Sequence, residues 1–469
     1  MRGRRLRGDG HLRSRGQPCV LTRVQNASAA VQAIGARLDA LPFCRLRLAL
    51  FGVLTLALFA DIAEVALGNA LGAVFQAPPR TMTQTELSLF LAAIFAGGAV
   101  GAPLFGLAGD RFGRRLALQL ALVGIALGSF GAAASHDPVA LIGFRFLSGL
   151  GIGACPPLIA AYMADVMPPH RRGTLSCLCA GFAFLGAPAI IFFLRAASPT
   201  LLGLEGWRWA LGSGAILAVI AAGLLVFMPE SPRWLAAAGR LAEAEQALRR
   251  FGRRGTGPAG PWIAAPSAAG STRPANDASA PGRRGLLLLC ALYALAPWAT
   301  IGFPLMSGAV MVAKQFSIGD SVVAAGLIMF GPALGNLLVA PAIDRIGRRA
   351  SLICSGGAMA VLGLAFAFAT GFLPLVAVGI AFALASAIYA SVLAIYAAEI
   401  TPTTLRASST SMAWGVGRFV SIFVPLACFA LIHHLGLWSM FVLIAVALGL
   451  SAILIAVAGP HGRSRQAVA

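Results

Sequence analysis

Long, continuous apolar segments recur along the whole chain, about every 30 to 40 residues. Each is long enough for a helix to cross a bilayer, which takes roughly 20 apolar residues. Twelve spans are predicted, at residues 48–76, 87–109, 115–135, 138–164, 174–195, 208–228, 286–312, 322–343, 351–371, 374–398, 409–432 and 436–458. Because the runs do not alternate with polar residues, they favour helices over barrel strands. The pattern predicts an all-α integral membrane protein.

Composition supports the same fold class. Hydrophobic residues make up 58% of the 469 positions, charged residues only 11%, and the mean hydropathy is +0.84. A water-soluble domain of this length cannot bury so much apolar surface, so lipid must surround the chain.

The net charge of +20 follows the predicted topology and does not indicate a nucleic-acid partner. Of the 36 Lys and Arg residues, thirty lie before the first span, after even-numbered spans or in the C-terminal tail. The opposite side carries only Arg80, Arg195, Arg208 and Lys314. Positive residues accumulate on the cytoplasmic side, which predicts twelve spans with both termini in the cytoplasm.

The two halves of the chain repeat one pattern. The segment Asp110 to Arg115, after the second span, matches Asp344 to Arg349, after the eighth. Asp165 and Arg172 match Glu399 and Arg406 at the same separation. This predicts two pseudo-symmetric six-helix bundles. The predicted units are a basic cytoplasmic segment at 1–47, a bundle at 48–228, a helix with a flexible linker at 229–284, a second bundle at 285–458, and a cytoplasmic tail at 459–469.

These motifs resemble a known transporter family. The segments Gly106 to Arg115 and Arg145 to Gly153 look like signatures of the major facilitator superfamily. Pro229 to Arg233 is similar to its sugar-porter motif. Residues 36–42, the acids Asp61 and Glu64, and Gly415 to Arg418 resemble the niacin, aromatic-acid and synaptic-vesicle-protein-like branch. The resemblance implies alternating access between two halves.

Charged residues at the predicted cytoplasmic helix ends form one candidate group. They could act only as topology signals under the positive-inside rule. The resemblance implies gating networks that hold the halves in one conformation. The candidate gating residues are Asp110, Arg111, Arg114, Arg115, Asp165, Arg172, Asp344, Arg345, Arg348, Arg349, Glu399 and Arg406.

Three charged residues within the spans form a candidate proton-coupling group. Asp61 lies near the middle of the first span, and Glu64 follows three residues later on the same side of the helix. Acids inside a membrane are costly and mark proton or substrate pathways. Arg145 of the fourth span is a candidate partner for either acid. A structural ion pair with Arg145 is the alternative. The two interpretations overlap, because the resemblance to sugar porters implies proton coupling through a first-span acid that pairs with the fourth-span arginine.

Candidate substrate contacts lie in the second half. Arg418 is its one cation within a span, and a guanidinium there needs a carboxylate from the protein or the substrate. Five aromatic residues of the second-half spans could stack on a ring of the substrate: Trp298, Tyr293, Tyr389, Tyr396 and Trp414. Trp298, Tyr389 and Trp414 are the ones predicted to contact it. Structural pairing of Arg418 and ordinary packing of the aromatic side chains are the alternatives.

The sequence therefore predicts a proton-driven symporter for a small organic anion such as an aromatic carboxylate, acting as a monomer in a bacterial inner membrane. A sugar or polyol symporter, a drug efflux carrier and a non-transporting receptor are alternatives. Because no nucleophile motif, metal cluster or phosphate loop is visible, we predict neither an enzyme nor a cofactor or metal site.

Overall fold

The computed structural model of the chain describes residues 32–75, 82–168, 171–252, 283–341, 347–400 and 406–459. Within these residues, twelve helical segments are long and apolar enough to cross a membrane. Their number and order confirm the predicted all-α fold.

The first half contains spans one to six. A short helix, α1, covers residues 32–40. The spans are α2 (Arg45–Val74), α3 (Gln84–Phe112), α4 (Arg114–Ala134), α5 (Pro138–Val166), the pair α6 (Arg172–Phe184) and α7 (Gly186–Ala197), and α8 (Gly206–Val226). A hairpin of β1 (Thr200–Leu201) and β2 (Leu204–Glu205) joins α7 to α8, with Thr200 opposite Glu205.

The second half contains spans seven to twelve. The short helices α9 (Pro232–Ala237) and α10 (Leu241–Gly252) precede it. Its spans are the pair α11 (Arg283–Thr300) and α12 (Gly302–Ala313), the pair α13 (Ile318–Ile328) and α14 (Phe330–Val339), then α15 (Arg348–Phe368), α16 (Phe372–Ile400), α17 (Arg406–Leu435) and α18 (Leu437–Ala458).

Three spans that the apolar pattern predicts as single helices are each divided by one residue. The interruptions fall at Leu185, Ile301 and Met329. The first two are each followed directly by a glycine, Gly186 and Gly302, which is a poor helix former. A hydropathy pattern records only that a segment is apolar, so it does not reveal such interruptions.

Helix packing repeats between the halves. In the first, α5 packs on α3 and α4, and α8 packs on α2 and α4. In the second, α16 packs on α14 and α15, and α18 packs on α11 and α15. These are equivalent spans, as duplication predicts. The halves meet where α2 contacts α12 and α13, α3 contacts α17, and α6 and α7 contact α14 and α13.

Close packing of α5 depends on its glycines and those of its neighbour. A Cβ atom added at Gly101 of α3 would collide with the backbone carbonyl of Leu150, and one at Gly153 of α5 with the carbonyl of Gly98. Only glycine lets the two backbones approach this closely. The glycines after Arg145 therefore serve helix packing.

Helices α1, α9 and α10 pack together at one end of the first half, here named the linker face. Ser231 caps α9, because its hydroxyl accepts a hydrogen bond from the Trp234 N–H at 3.1 Å, and Pro232 takes the first helical position. Ile34 of α1 packs on Trp234 and Ala244. The β1–β2 hairpin lies at the other end of the spans.

Candidate functional site

Glu64 of α2 forms an ion pair with Arg145 of α5. Glu64 Oε2 lies 2.8 Å from Arg145 Nη1, and Nη2 donates to the Glu64 carbonyl oxygen at 3.1 Å. The two side chains are 0% and 1% exposed. The guanidinium carbon also lies 5.4 Å from the centre of the Phe90 ring of α3. The pair is thus enclosed by helices of the first half.

A glycine of α8 makes room for this pair. A Cβ atom added at Gly214 would collide with Glu64 Oε1. Four spans, α2, α3, α5 and α8, therefore contribute to the pocket of Glu64 and Arg145. Because all four belong to one half, a rigid-body movement between the halves leaves this pair intact.

Asp61 has a different environment, although it lies only three residues before Glu64. Three residues at 3.6 per turn leave an offset of about 60° around the helix axis, enough for the two acids to meet different partners. Asp61 is 2% exposed, and the charge of Arg418 in α17 acts on it, although the two side chains form no ion pair within 4.0 Å. Among the described residues, neither Asp61 Oδ1 nor Arg418 Nε has a hydrogen-bond partner. This interaction joins the two halves.

Among the described residues, no acid of the second half forms an ion pair with Arg418. The acidic residues of this half are Asp320, Asp344 and Glu399. Asp320 lies in the first turn of α13, where it accepts a hydrogen bond from Ser317 at 2.7 Å. The other two lie near the ends of predicted spans. In the described part of the chain, the acid whose charge acts on Arg418 is Asp61 of the first half.

Two aromatic residues flank Arg418. The guanidinium carbon lies 5.0 Å from the centre of the Trp414 ring, and Tyr293 of α11 meets the same ring edge-on at 6.2 Å. The indole Nε1 of Trp414 has no hydrogen-bond partner among the described residues. The structure therefore brings together two of the predicted substrate contacts, Arg418 and Trp414. Tyr293 is one of the aromatic residues that could stack on a substrate ring, and its contact with Trp414 is not visible in the sequence.

The other two predicted substrate contacts, Tyr389 and Trp298, are already packed against other parts of the protein. The hydroxyl of Tyr389 lies 2.6 Å from that of Ser451 in α18, and Tyr389 is 1% exposed. Trp298 is half-buried and packs against the apolar core. Their contact with substrate stays a prediction.

On the linker face, several predicted gating residues contact each other. Arg114 forms an ion pair with Asp110 one turn earlier, and its Nε lies 3.9 Å from Asp165. Asp165 also accepts a hydrogen bond from the Ser231 hydroxyl at 2.9 Å. All these contacts lie within the first half.

Glu230, which the sequence analysis did not single out, is the central acceptor of this cluster. Its carboxylate accepts hydrogen bonds from the backbone N–H groups of Arg114 and Arg115, each at 3.1 Å, and of Ser231 at 2.8 Å. Burial raises the pKa of Glu230 above its ordinary value, although these N–H groups favour the charged form. Gly113, with φ +106°, has no Cβ atom to block the approach. The motif that contains Glu230 served only as a family signature.

The N-terminal segment is also tied to this face, which its basic composition did not predict. Arg37 of α1 makes two hydrogen bonds to Glu245 of α10, at 2.8 and 2.9 Å, and Asp39 pairs with Arg233 of α9. Residues 1–47 are therefore not a uniform basic segment, because α1 and the start of α2 at Arg45 fall within them.

The remaining gating residues do not show a contact between the halves. Arg115 donates to the Met228 carbonyl at 2.9 Å, and Arg349 to that of Ala456 at 2.7 Å. Arg111 lies over the Phe112 ring, Arg172 is half-buried and Arg348 is buried. Asp344 and Arg345 lie outside the described residues, as do the side chains of Glu399 and Arg406. A latch between the halves stays a prediction.

Comparison with known proteins identifies the family. Residues 60–465 match the sugar (and other) transporter family. The chain belongs to this family. This sugar transporter family member is 30% identical over 445 residues to the putative metabolite transport protein YdjK of Escherichia coli K12, covering 91% of this chain and 94% of that protein. It is 39% identical to the arabinose-proton symporter of Bacillus subtilis over 167 residues, 35% of this chain and 36% of the symporter.

Solved structures show the same fold. The xylose transporter XylE from E. coli, in a partially occluded inward-open conformation, superposes with a TM-score of 0.71 at 17% identity, covering 90% of this chain and 99% of that one. The chain is thus a secondary transporter with the major facilitator fold, a class of transporters and not of enzymes.

The family match corrects one part of the sequence interpretation. Resemblance to the niacin and aromatic-acid branch rested on short segments, of which Gly415 to Arg418 is four residues long. The match over residues 60–465 instead favours the sugar-porter alternative. Short segments with one or two charges recur easily in membrane helices, whereas a match along the whole chain does not.

Proposed function

We propose that this protein is a proton-coupled symporter of a small sugar-type substrate, and that Asp61 carries the proton. One observation supports the assignment of Asp61: its charge partner, Arg418, belongs to the opposite half. Alternating access in this fold is a rocking of one half against the other around a central site. The environment of Asp61 therefore changes during the cycle.

The same reasoning assigns a structural role to Glu64 and Arg145. A proton carrier must gain and lose its counter-charge in different states, because the charged form is stable only where it is compensated. Glu64 keeps Arg145 at 2.8 Å within one rigid half. Asp61 has a partner that moves relative to it. We infer that Arg145 positions Glu64 and that Asp61 titrates.

Support for a sugar-type substrate comes from the relatives and from the two aromatic rings beside Arg418. The relatives include an arabinose-proton symporter and a D-xylose transporter. Trp414 and Tyr293 present ring faces and edges of the kind that pack against a sugar ring. We therefore prefer the sugar alternative to an aromatic carboxylate.

Orientation and location are part of the proposal. The excess of Lys and Arg at the N-terminus, after the even-numbered spans and at the C-terminus supports a cytoplasmic linker face and cytoplasmic termini. Relatives from bacteria support a bacterial inner membrane. We propose that the monomer is the transporting unit, with substrate, protons and lipid as its partners.

Reconstitution tests this function. The full chain in proteoliposomes, acidic outside, is supplied with labelled D-xylose, L-arabinose, D-gluconate, benzoate or nicotinate. We expect a sugar-type compound to accumulate and a protonophore to abolish the accumulation. Uptake restricted to benzoate or nicotinate would contradict the sugar assignment. Binding without counterflow would indicate a receptor.

A further inference from the structure

The second half has only two side-chain amides that could bind a neutral sugar. A neutral monosaccharide presents hydroxyls, which side-chain amides bind well because each amide both donates and accepts. Residues 283–459 contain one asparagine, Asn336, and one glutamine, Gln315. The Asn336 amide donates to the Pro332 carbonyl at 3.0 Å and accepts from Ser391 at 2.7 Å. Gln315 lies in the connection after α12.

Several hydroxyl groups of this half are also engaged. Ser421 donates to the Gly417 carbonyl at 2.7 Å, Thr300 to Ala296 at 3.0 Å, and Ser307 to Pro304 at 3.0 Å. A hydroxyl that gives its hydrogen to the backbone can only accept another bond. These three hydroxyls therefore have no hydrogen left to donate to a neutral ligand.

In the described part of the second half, two buried side-chain N–H donors remain without an acceptor. These are Nε of Arg418 and Nε1 of Trp414, whose side chains lie against each other. Buried donors without acceptors are costly, so such atoms mark a place where an acceptor binds. The planar guanidinium matches a carboxylate, which can accept two hydrogen bonds from it. Asp61 Oδ1, also without a partner, lies on the other side of the interface.

We propose that the transported molecule is a sugar acid, an aldonate or uronate, whose carboxylate replaces Asp61 as the counter-ion of Arg418. This inference rests on the proposed symport of a sugar-type substrate and specifies the chemical class. The hydroxylated part of the molecule packs against Trp414 and Tyr293.

The replacement also couples the substrate to the proton. When a substrate carboxylate pairs with Arg418, Asp61 loses its one positive neighbour. Its other interacting groups are Glu64, which is acidic, and the Cys155 thiol. A buried carboxylate without a counter-ion is strongly disfavoured, so Asp61 takes a proton from the aqueous side on which the substrate entered. An O–H bond forms on Asp61, and the substrate keeps all its bonds.

Charge balance makes this mechanism measurable. One monoanion and one proton cross together, so the net charge moved is zero, whereas a neutral sugar with a proton moves one positive charge. Currents on a solid-supported membrane and uptake under an imposed potential distinguish the two. For D-gluconate and D-glucuronate we expect uptake that follows the pH gradient, ignores the potential and gives no current.

The outcomes separate the two proposals. Uptake of D-xylose or L-arabinose with a positive current, and none of either acid, would overturn the sugar-acid inference and leave the sugar symporter intact. Uptake of neither class would overturn both. Potential-driven uptake of the acids would overturn the exchange of counter-ions.

Binding measurements give an independent test. In detergent, the midpoint of thermal unfolding is followed against D-gluconate concentration. We expect Asp61→Asn to bind D-gluconate about tenfold more tightly than the unmodified protein, because the Asp61 carboxylate no longer competes with the substrate carboxylate for Arg418. Arg418→Gln should fold and lose the response. Glu205→Gln, which removes a carboxylate of the β1–β2 hairpin outside the Arg418 site, is the matched control and should keep the original affinity. An unchanged or weaker affinity in Asp61→Asn would sink the inference.

Discussion

The two halves repeat the same helix packing but distribute charge differently. The first half pairs its interior acid Glu64 with its own Arg145 and gathers further charges on the linker face. The interior of the second half holds Arg418, which interacts with Asp61 of the first half. Both halves therefore share one arrangement of helices, but the buried charges differ. Arg418 of the second half interacts with an acid of the first half, whereas Glu64 and Arg145 pair within the first half.

This difference separates structural from functional charges. An ion pair inside one rigid half can hold helices together throughout the cycle. A charge whose partner lies across the interface is exposed to each rearrangement of the halves, and it can respond to a proton or a ligand. Four measurements sharpen or break this distinction, beginning with the largest expected effect.

Neutralising Asp61 should uncouple substrate transport from the pH gradient. In Asp61→Asn we expect accumulation driven by the pH gradient to fall at least about tenfold, to the equilibrium level, while counterflow continues, because the variant cannot carry a proton. Radiolabel uptake in proteoliposomes measures both. Gradient-driven accumulation that survives in Asp61→Asn would show that the pair across the halves is not the coupling device.

Removing Arg145 should act on stability. Arg145→Gln leaves Glu64 buried without its counter-ion, which costs about 3 to 5 kcal/mol. Unfolding in detergent measures the loss. The double variant Glu64→Gln with Arg145→Gln removes both charges and should recover a large part of the stability. If the losses of stability from Glu64→Gln and Arg145→Gln simply added in the double variant, the two residues would not stabilise the fold as a pair.

Glu230→Ala should weaken the linker face of the first half. The substitution deprives three backbone N–H groups, two of them at the start of α4, of their acceptor, which costs about 1 to 2 kcal/mol. Glu243→Ala is the control, since Glu243 is about half exposed and, among the described residues, pairs with Arg240 alone; its effect should stay within about 0.5 kcal/mol. Equal effects would assign no special role to Glu230.

A pH series isolates the charge of Glu230. Because its pKa is raised in the folded protein, the stability from this group is fully present below the ordinary Glu range and decreases as pH rises through the raised pKa. Glu230→Gln has no such titration. The unfolding midpoint of the variant relative to the unmodified protein should therefore rise with pH. If the difference in unfolding midpoint between Glu230→Gln and the unmodified protein did not change with pH, Glu230 would not have a raised pKa in the folded protein.

Several features followed from local sequence alone. The apolar segments predicted twelve spans, and the structure confirms them, because lipid requires each span to satisfy its own backbone. The N-cap Ser231 and the packing role of the glycines after Arg145 were also predictable, since both depend on neighbouring residues or on helix periodicity.

Partner choice did not follow from local sequence. Both Asp61 and Glu64 were candidates for Arg145, and an offset of about 60° around α2 decides between them. Glu230 lies more than a hundred residues from the backbone N–H groups of Arg114 and Arg115 that donate to it, so no short-range pattern reveals these contacts. Similarly, the docking of α1 on α10 joins residues 208 positions apart.

By itself, the sequence determined the all-α membrane fold, the duplication and the few charges within the spans, because hydropathy and charge act at each position regardless of distant contacts. Only the tertiary structure decided that Glu64 belongs to Arg145 and Asp61 to Arg418. Electrostatic pairing depends on distance and burial in three dimensions, and these are properties of helices brought together, not of any single helix.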